Sequence, residues 1–288
     1  MSKFILGSAQ FGSNYGIKSK GQIKSLDIKK ILDTAITNNI NSIDTAYSYG
    51  NCEKILGNYN ISKFKIISKT RHFKSLNLNE IELIKKDFSS SLARLKQENI
   101  YAILIHDAND LFKKNGEKLY HQLVNLKQSK KVIKIGVSVY HKKQLEKILE
   151  NFDIDLVQFP LNIFDRRITN SSIMKKLQNK NIEIHGRSIF LQGLLLFTKK
   201  DRPKKFSFWG PLWELWHEWL VVNNISALQA SLRYALSIPN VSKLIVGVDN
   251  HIQLEEILQA SKGILPSIPK QLYTNDDNLL NPSNWEKL

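Results

Sequence analysis

The chain has 288 residues, 42% of them hydrophobic, which is enough for a full core, and no apolar run approaches the roughly eighteen residues of a membrane span. Its formal charge of +16 is spread along the whole chain, with Lys alternating with Asn and Ile as AT-rich codons would place them. No helix-turn-helix, zinc or RNP pattern accompanies that charge, so nucleic acid is not the expected partner.

The chain enters a strand-like segment at once, Lys3–Gly7, with no charged stretch and apolar run of a secretory leader before it. With a single cysteine, Cys52, no internal disulfide framework exists and a reducing cytoplasm is the expected setting. Further strand-like segments follow at Ile40–Ile43, Phe64–Ser68, Ile100–Ile105, Ile133–Val137, Leu156–Phe159, Ile182–Gly186 and Lys243–Val246. Most are rich in Ile, Val and Leu, as parallel strands buried on both faces must be. Helical spacing fills the gaps: Asp27–Asn38, Ile81–Leu95, Gly116–Leu126, Lys142–Leu149, Ser171–Leu177 and His251–Ala260 each carry an apolar stripe. Eight strands alternating with helices predict an α/β fold, the (β/α)8 TIM barrel, as one domain over residues 1–288. No G-x-G-x-x-G follows the first strand, which argues against an open dinucleotide-binding sheet.

The seventh unit is longer than the rest. A basic, proline-containing insert, Lys199–Lys205, precedes Trp209, Trp213, Trp216 and Leu220 at near-helical spacing. That spacing predicts a helix face packed on the barrel, with Phe208 and Trp209 in the lead-in as candidates for a lid. Residues 263–288 lose periodicity and read as a tail wrapping the surface.

In a parallel barrel, chemistry sits at the carboxyl ends of the strands. Those ends carry Gly7-Ser8, Asp44 with Tyr49, Lys69, His106-Asp107, Ser138, Gln158, Arg187-Ser188 and Gly247. A tyrosine hydroxyl, with a pKa of about 10, is a poor proton donor at neutral pH. A lysine cation beside it would lower that value, and a carboxylate would hold the lysine in place. A histidine on the next strand can orient a carbonyl oxygen. Asp44, Tyr49, Lys69 and His106 thus suit protonation of a carbonyl oxygen while a nicotinamide cofactor, not one of these side chains, delivers hydride. Tyr47 lies two residues from Tyr49 and its hydroxyl is an alternative for the pocket. Arg187, Arg71 and Lys200 suggest a polar or anionic carbonyl, such as a sugar derivative. The remaining histidines show no metal-ligand spacing, so no metal is expected.

These four positions, with the phrase D-T-A-Y-S-Y-G, resemble the aldo-keto reductases over nearly the whole chain. L-G-S-A-Q-F-G at Leu6–Gly12, G-V-S-V at Gly136–Val139, Q-F-P-L-N at Gln158–Asn162 and V-G-V-D-N-H-I-Q-L-E-E at Val246–Glu256 are similar to the family's cofactor-binding strands and loops. The resemblance implies a catalytic tetrad of Asp44, Tyr49, Lys69 and His106, with Tyr49 as general acid reducing an aldehyde or ketone. It also implies a dinucleotide held by Gly7, Ser8, Asp44, Ser138, Gln158, Ser188, Gly247, Gln253 and Glu256. Ser138 and Gln158 would meet the carboxamide, Ser188 the pyrophosphate, and Gln253 with Glu256 the adenosine end. Val139 stands where the family often has Asn, and Gln253 where it has a basic residue for a 2′-phosphate. The family leans to NADP; Gln253 weighs toward NAD. A cofactor-sensing protein with little turnover is the alternative on the same fold. The sequence leaves the oligomeric state open.

Overall fold

The computed structural model describes residues 2–13, 16–17 and 21–288. Eight parallel strands close into one barrel in sequence order: β1 (Phe4–Gly7), β2 (Ser42–Asp44), β3 (Lys65–Lys69), β4 (Ile100–Ile105), β5 (Val132–Ser138), β6 (Leu156–Pro160), β7 (Glu183–Arg187) and β8 (Lys243–Gly247). Pairing of β1 with β8 completes the ring, and no unpaired edge remains.

Around it stand α1 (Ala9–Gly12), α2 (Ser25–Thr37), α3 (Cys52–Leu56), α4 (Leu78–Leu95), α5 (Gly116–Gln128), α6 (Lys142–Asn151), α7 (Ile173–Asn179), α8 (Gly210–Val222), α9 (Ala227–Ser237), α10 (His251–Ala260) and α11 (Asp277–Leu280). Every strand expected from apolar composition is present, with ends moved by a residue or two. Helix α9 had not been expected. Its signal was a capping box, in which Ser226 Oγ accepts from the Gln229 N–H while Gln229 Oε1 accepts from the Ser226 N–H.

Two apolar layers follow from strands buried on both faces. Inside the ring, Ile5, Ile67, Ala102, Leu104 and Leu156 fill the barrel. Between ring and helices lies the larger core. The strand register gathers the functional side chains: Gly7 is level with Asp44 and with Gly247, Lys69 with Leu104, Ser138 with Gln158, and Pro160 with Arg187.

The Trp-rich segment is core, as its spacing predicted. Trp213, Trp216 and Trp219 are buried, and Phe164 packs on two of them at centroid distances of 5.1 and 5.8 Å. The lid expectation divides. Trp209 is buried and donates its indole N–H to Asp276 at 2.9 Å, so it is tied to the tail, whereas Phe208 is 82% exposed. The tail itself is anchored: Leu272, Leu279, Leu280 and Trp285 are buried, and Trp285 meets Phe206 edge-on at 4.9 Å. Periodicity missed these anchors because they are single residues in turns and one short helix. Among the described residues no helix is long and apolar enough to cross a membrane.

Candidate active site

Asp44 ends β2 and Lys69 ends β3, so neighbouring strands bring their side chains together inside the mouth of the barrel. Lys69 is almost fully buried. Its ammonium lies 2.5 Å from Asp44 Oδ1, 2.9 Å from the Thr45 carbonyl and 3.3 Å from the Tyr49 hydroxyl. An ammonium has three donors and no acceptor. All three are therefore committed, and in the third contact the Tyr49 oxygen is the acceptor. The phenolic proton is left to point elsewhere, toward the cleft that Tyr49 lines.

The second Asp44 oxygen, Oδ2, accepts from Gln158 Nε2 at 2.5 Å. Gln158 Oε1 is buried with no hydrogen-bond partner among the described residues. Such an orphaned acceptor is costly unless something donates to it.

His106 follows β4. Its ring meets Tyr49 edge-on at 5.7 Å and stacks on His72 at 4.3 Å, and its buried Nδ1 has no hydrogen-bond partner among the described residues. Burial, then the charges of Lys69 and Arg187, push its pKa down to about 2. The imidazole is neutral at physiological pH. Asp107, beside it, is a cap: its carboxylate accepts from the Asn109 N–H at 2.9 Å.

The expectation that Lys69 acidifies Tyr49 is corrected. Burial raises the Tyr49 pKa well above the ordinary phenol value and the Asp44 carboxylate adds to that, while Arg187 pulls the other way. The charge of Lys69 is matched by Asp44 at shorter range, so its role toward Tyr49 is to fix the direction of the hydroxyl. Tyr49, not Tyr47, is the tyrosine at the cleft. The Tyr47 hydroxyl accepts from Arg71 at 3.1 Å, and its ring is flanked by the Arg71 and Arg94 guanidiniums at 5.1 and 4.9 Å.

The cleft measures about 550 Å³, within the range of small-molecule sites. Gly7, Ser8, Asp44, Tyr49, Ser188, Gly247, Gln253 and Glu256 all line it. Ser8 is also bound inward, its hydroxyl donating to the Asp44 carbonyl at 2.9 Å and accepting from the Cys52 thiol at 3.0 Å. Buried in these contacts, with its pKa raised by burial, Cys52 is structural. A Cβ at Gly247 would lie 2.3 Å from Gln10 Oε1, so a larger residue there would push the end of the Gln10 side chain aside on the cleft wall. Ser188 turns the chain out of β7 with φ +57, a left-handed conformation that non-glycine residues seldom adopt.

Ser138 is buried at the end of β5 beside Gln158, and is not on the cleft wall. Among the cations singled out earlier, Arg71 is bound to Asp87 at 2.5 Å and neither it nor Lys200 reaches this cleft; Arg187 does. Sequence reasoning did not select Asp249, Gln192 or the start of α9, Ser226 to Leu228, which also line it. Loop residues of these kinds carry no periodic signal. Among the described residues no three His, Cys, Asp or Glu side chains gather as metal ligands.

Residues 3–267 match the family model described as the aldo/keto reductase family. Similar solved structures include an aldo-keto reductase of Bacillus halodurans in its holo form, 17% identical, covering 92% of this chain and 88% of that one with a TM-score of 0.73. Another is the glycerol dehydrogenase of Gluconobacter oxydans, 23% identical, with 93% and 88% covered and a TM-score of 0.71. At these identities the likeness is one of fold. No curated protein matches the sequence.

Proposed function

The chain belongs to the aldo/keto reductase family, and from that premise we propose that it reduces an aldehyde or ketone to the alcohol, with Tyr49 giving the proton and a nicotinamide dinucleotide as reductant. One observation carries this reading: the Tyr49 oxygen accepts from a lysine whose other two donors are used, and the same residue faces a 550 Å³ cleft.

Bound in the cleft, the reduced dinucleotide would supply the hydride. The chain's own residues supply the rest. Lys69 holds the phenol with its proton outward, and Asp44, pinned by Gln158, holds Lys69. The raised pKa keeps Tyr49 protonated through neutral pH, so the donor is loaded before substrate arrives. A phenol remains a stronger acid than the alcohol being formed, so the proton passes from Tyr49 Oη to the substrate oxygen as negative charge grows there. Neutral His106, at the edge of the Tyr49 ring, positions that oxygen without competing as a charged acid.

The residues fit a nicotinamide dinucleotide. The unpaired Gln158 Oε1, buried beside Asp44, suits a carboxamide N–H, with Ser138 level with it on the neighbouring strand. Ser188 suits the pyrophosphate, and Gln253 with Glu256 the adenosine end. The β8–α10 side of the cleft carries Asp249 and Glu256, and the one cation among the described lining residues is Arg187, on β7. Carboxylates accept from a ribose 2′-hydroxyl and repel a 2′-phosphate, so NAD is the preferred form. Cys52 as a buried free thiol is compatible with a reducing cytoplasm.

Titration of cofactor fluorescence with NADH and NADPH, followed by a panel of aldehydes and ketones, tests this. NADH binding about tenfold tighter, and oxidised by members of the panel, is the expected result. Tight binding with no oxidation by any carbonyl would instead make the chain a sensor of the cofactor.

A further inference from the structure

Three arginines are paired with acids, Arg71 with Asp87, Arg94 with Glu53 and Arg167 with Asp165, while Arg166 and Arg233 donate to backbone carbonyls away from the cleft. Arg187, at the end of β7, is the arginine on the wall of the reaction cleft, and among the described residues no acid pairs with it. Its Nη2 donates to the Val139 carbonyl at 3.1 Å and its Nη1 to Ser188 Oγ at 3.4 Å, both neutral acceptors. Its buried Nε has no hydrogen-bond partner among the described residues. The guanidinium lies 4.2 Å from the centre of the Tyr140 ring, which braces its plane.

A half-buried guanidinium without a counter-charge is unfavourable unless an anion completes it. Five donors in a planar fork match the two oxygens of a carboxylate. From this we propose that Arg187, braced by Tyr140, is a carboxylate seat beside Tyr49, and that the carbonyl substrates of this chain are oxo acids rather than neutral aldehydes or ketones. The inference rests on the carbonyl-reductase reading and deepens it. Arg187 is close enough to Tyr49 and His106 to lower the pKa of both, which places the seat within the electrostatic reach of the reacting oxygen.

The test uses matched pairs that differ by one carboxylate group, butanal against 4-oxobutanoate and benzaldehyde against 4-carboxybenzaldehyde, with the wild-type chain, Arg187→Gln and Arg187→Lys. The readout is the ratio of kcat/KM, acid over neutral, which cancels any effect of Arg187 on Tyr49 common to both. A charge-assisted pair predicts a ratio of about 10² in the wild type, expressed mostly in KM, about 1 in Arg187→Gln and an intermediate value in Arg187→Lys. A wild-type ratio near 1 overturns the proposal. So does a ratio left unchanged by Arg187→Gln while dinucleotide binding weakens, since Arg187 would then serve the cofactor pyrophosphate. Calorimetric titration of the cofactor-free chain with 4-carboxybenzyl alcohol, a product rather than a substrate, gives a readout without turnover. Heat present in the wild type and lost in Arg187→Gln supports the seat even if no carbonyl is reduced; equal heats in both, or none in either, contradict it.

Discussion

The barrel carries the same three side-chain types at both ends. At the mouth stand Lys69, Asp44 and Tyr49; at the floor, where β4, β5 and β7 begin, stand Lys134, Glu183 and Tyr101. Their hydrogen bonds run in different orders. At the floor the Tyr101 hydroxyl donates to Glu183 Oε2 at 2.6 Å, and Lys134 donates to the same oxygen at 2.6 Å. That phenolic proton is held by a carboxylate. At the mouth the carboxylate takes the lysine and the glutamine, and the phenolic oxygen's one hydrogen bond among the described residues is the one it accepts from the lysine. Only the mouth tyrosine keeps a proton free for a ligand, and only it lines the large cleft. A Lys, an acid and a Tyr do not make a proton donor by composition; the direction of each bond decides.

The surroundings differ as well. His185 Nε2 donates to Glu183 Oε1 at 2.8 Å, so the floor carboxylate is satisfied on both oxygens by the protein's own side chains. Burial alone would raise the Glu183 pKa, but its bonds from His185, Lys134 and Tyr101 together bring it well below the ordinary value. The floor is a stabilising network, the mouth a poised one.

The largest expected effect comes from making the same substitution at both ends. Lys69→Met leaves Asp44 charged and buried against an apolar chain, and loses about 3–5 kcal/mol in urea unfolding, together with the aim of Tyr49. Lys134→Met, at a side chain 28% exposed and with Tyr101 and His185 still bonded to Glu183, costs about 1 kcal/mol and leaves carbonyl reduction in place. Equal losses would erase the distinction between the two ends.

A second expectation is in acid. Because the folded pKa of Glu183 is depressed, its contribution is present above the unfolded carboxylate value of about 4.3 and fades as pH falls below it. Glu183→Gln should therefore be less stable than wild type at neutral pH and converge on it in acid, which unfolding curves taken across that range will show. At the cofactor end, Asp249→Asn removes one carboxylate from the β8–α10 side, and should narrow the preference for NADH over NADPH by a few-fold in fluorescence titration.

The smallest effect is an absence of change. Tyr49 stays protonated and His106, with a pKa of about 2, stays neutral across the physiological range. The kcat/KM for carbonyl reduction should show no step between about pH 6 and 9 from either group. A step near 6.5 would show that His106 titrates in the working enzyme.

Much of this was legible in the residues. Buried parallel strands announce themselves by Ile, Val and Leu on both faces, and strand-end positions follow once the eight are counted; Asp44, Tyr49, Lys69 and His106 came together for that reason. Single-residue anchoring was not legible. Leu272 and Trp285 in the tail, and the start of α9 in the cleft, depend on where turns carry the chain, and turns have no period. The direction of the Tyr49 pKa was missed for another reason. The pairing of Lys69 with Asp44 was read from the strand ends and is present at 2.5 Å, but the burial of the phenol, which outweighs the lysine, carries no signal in the spacing.

The most direct measurement pairs Tyr49→Phe with Tyr101→Phe in rapid mixing of the NADH-loaded chain with 4-carboxybenzaldehyde or another carbonyl the wild type accepts. The account predicts NADH affinity within a few-fold of wild type in both, oxidation of the bound cofactor slowed by about 10²–10⁴ in Tyr49→Phe, and no slowing in Tyr101→Phe. Oxidation at the wild-type rate in Tyr49→Phe would contradict it.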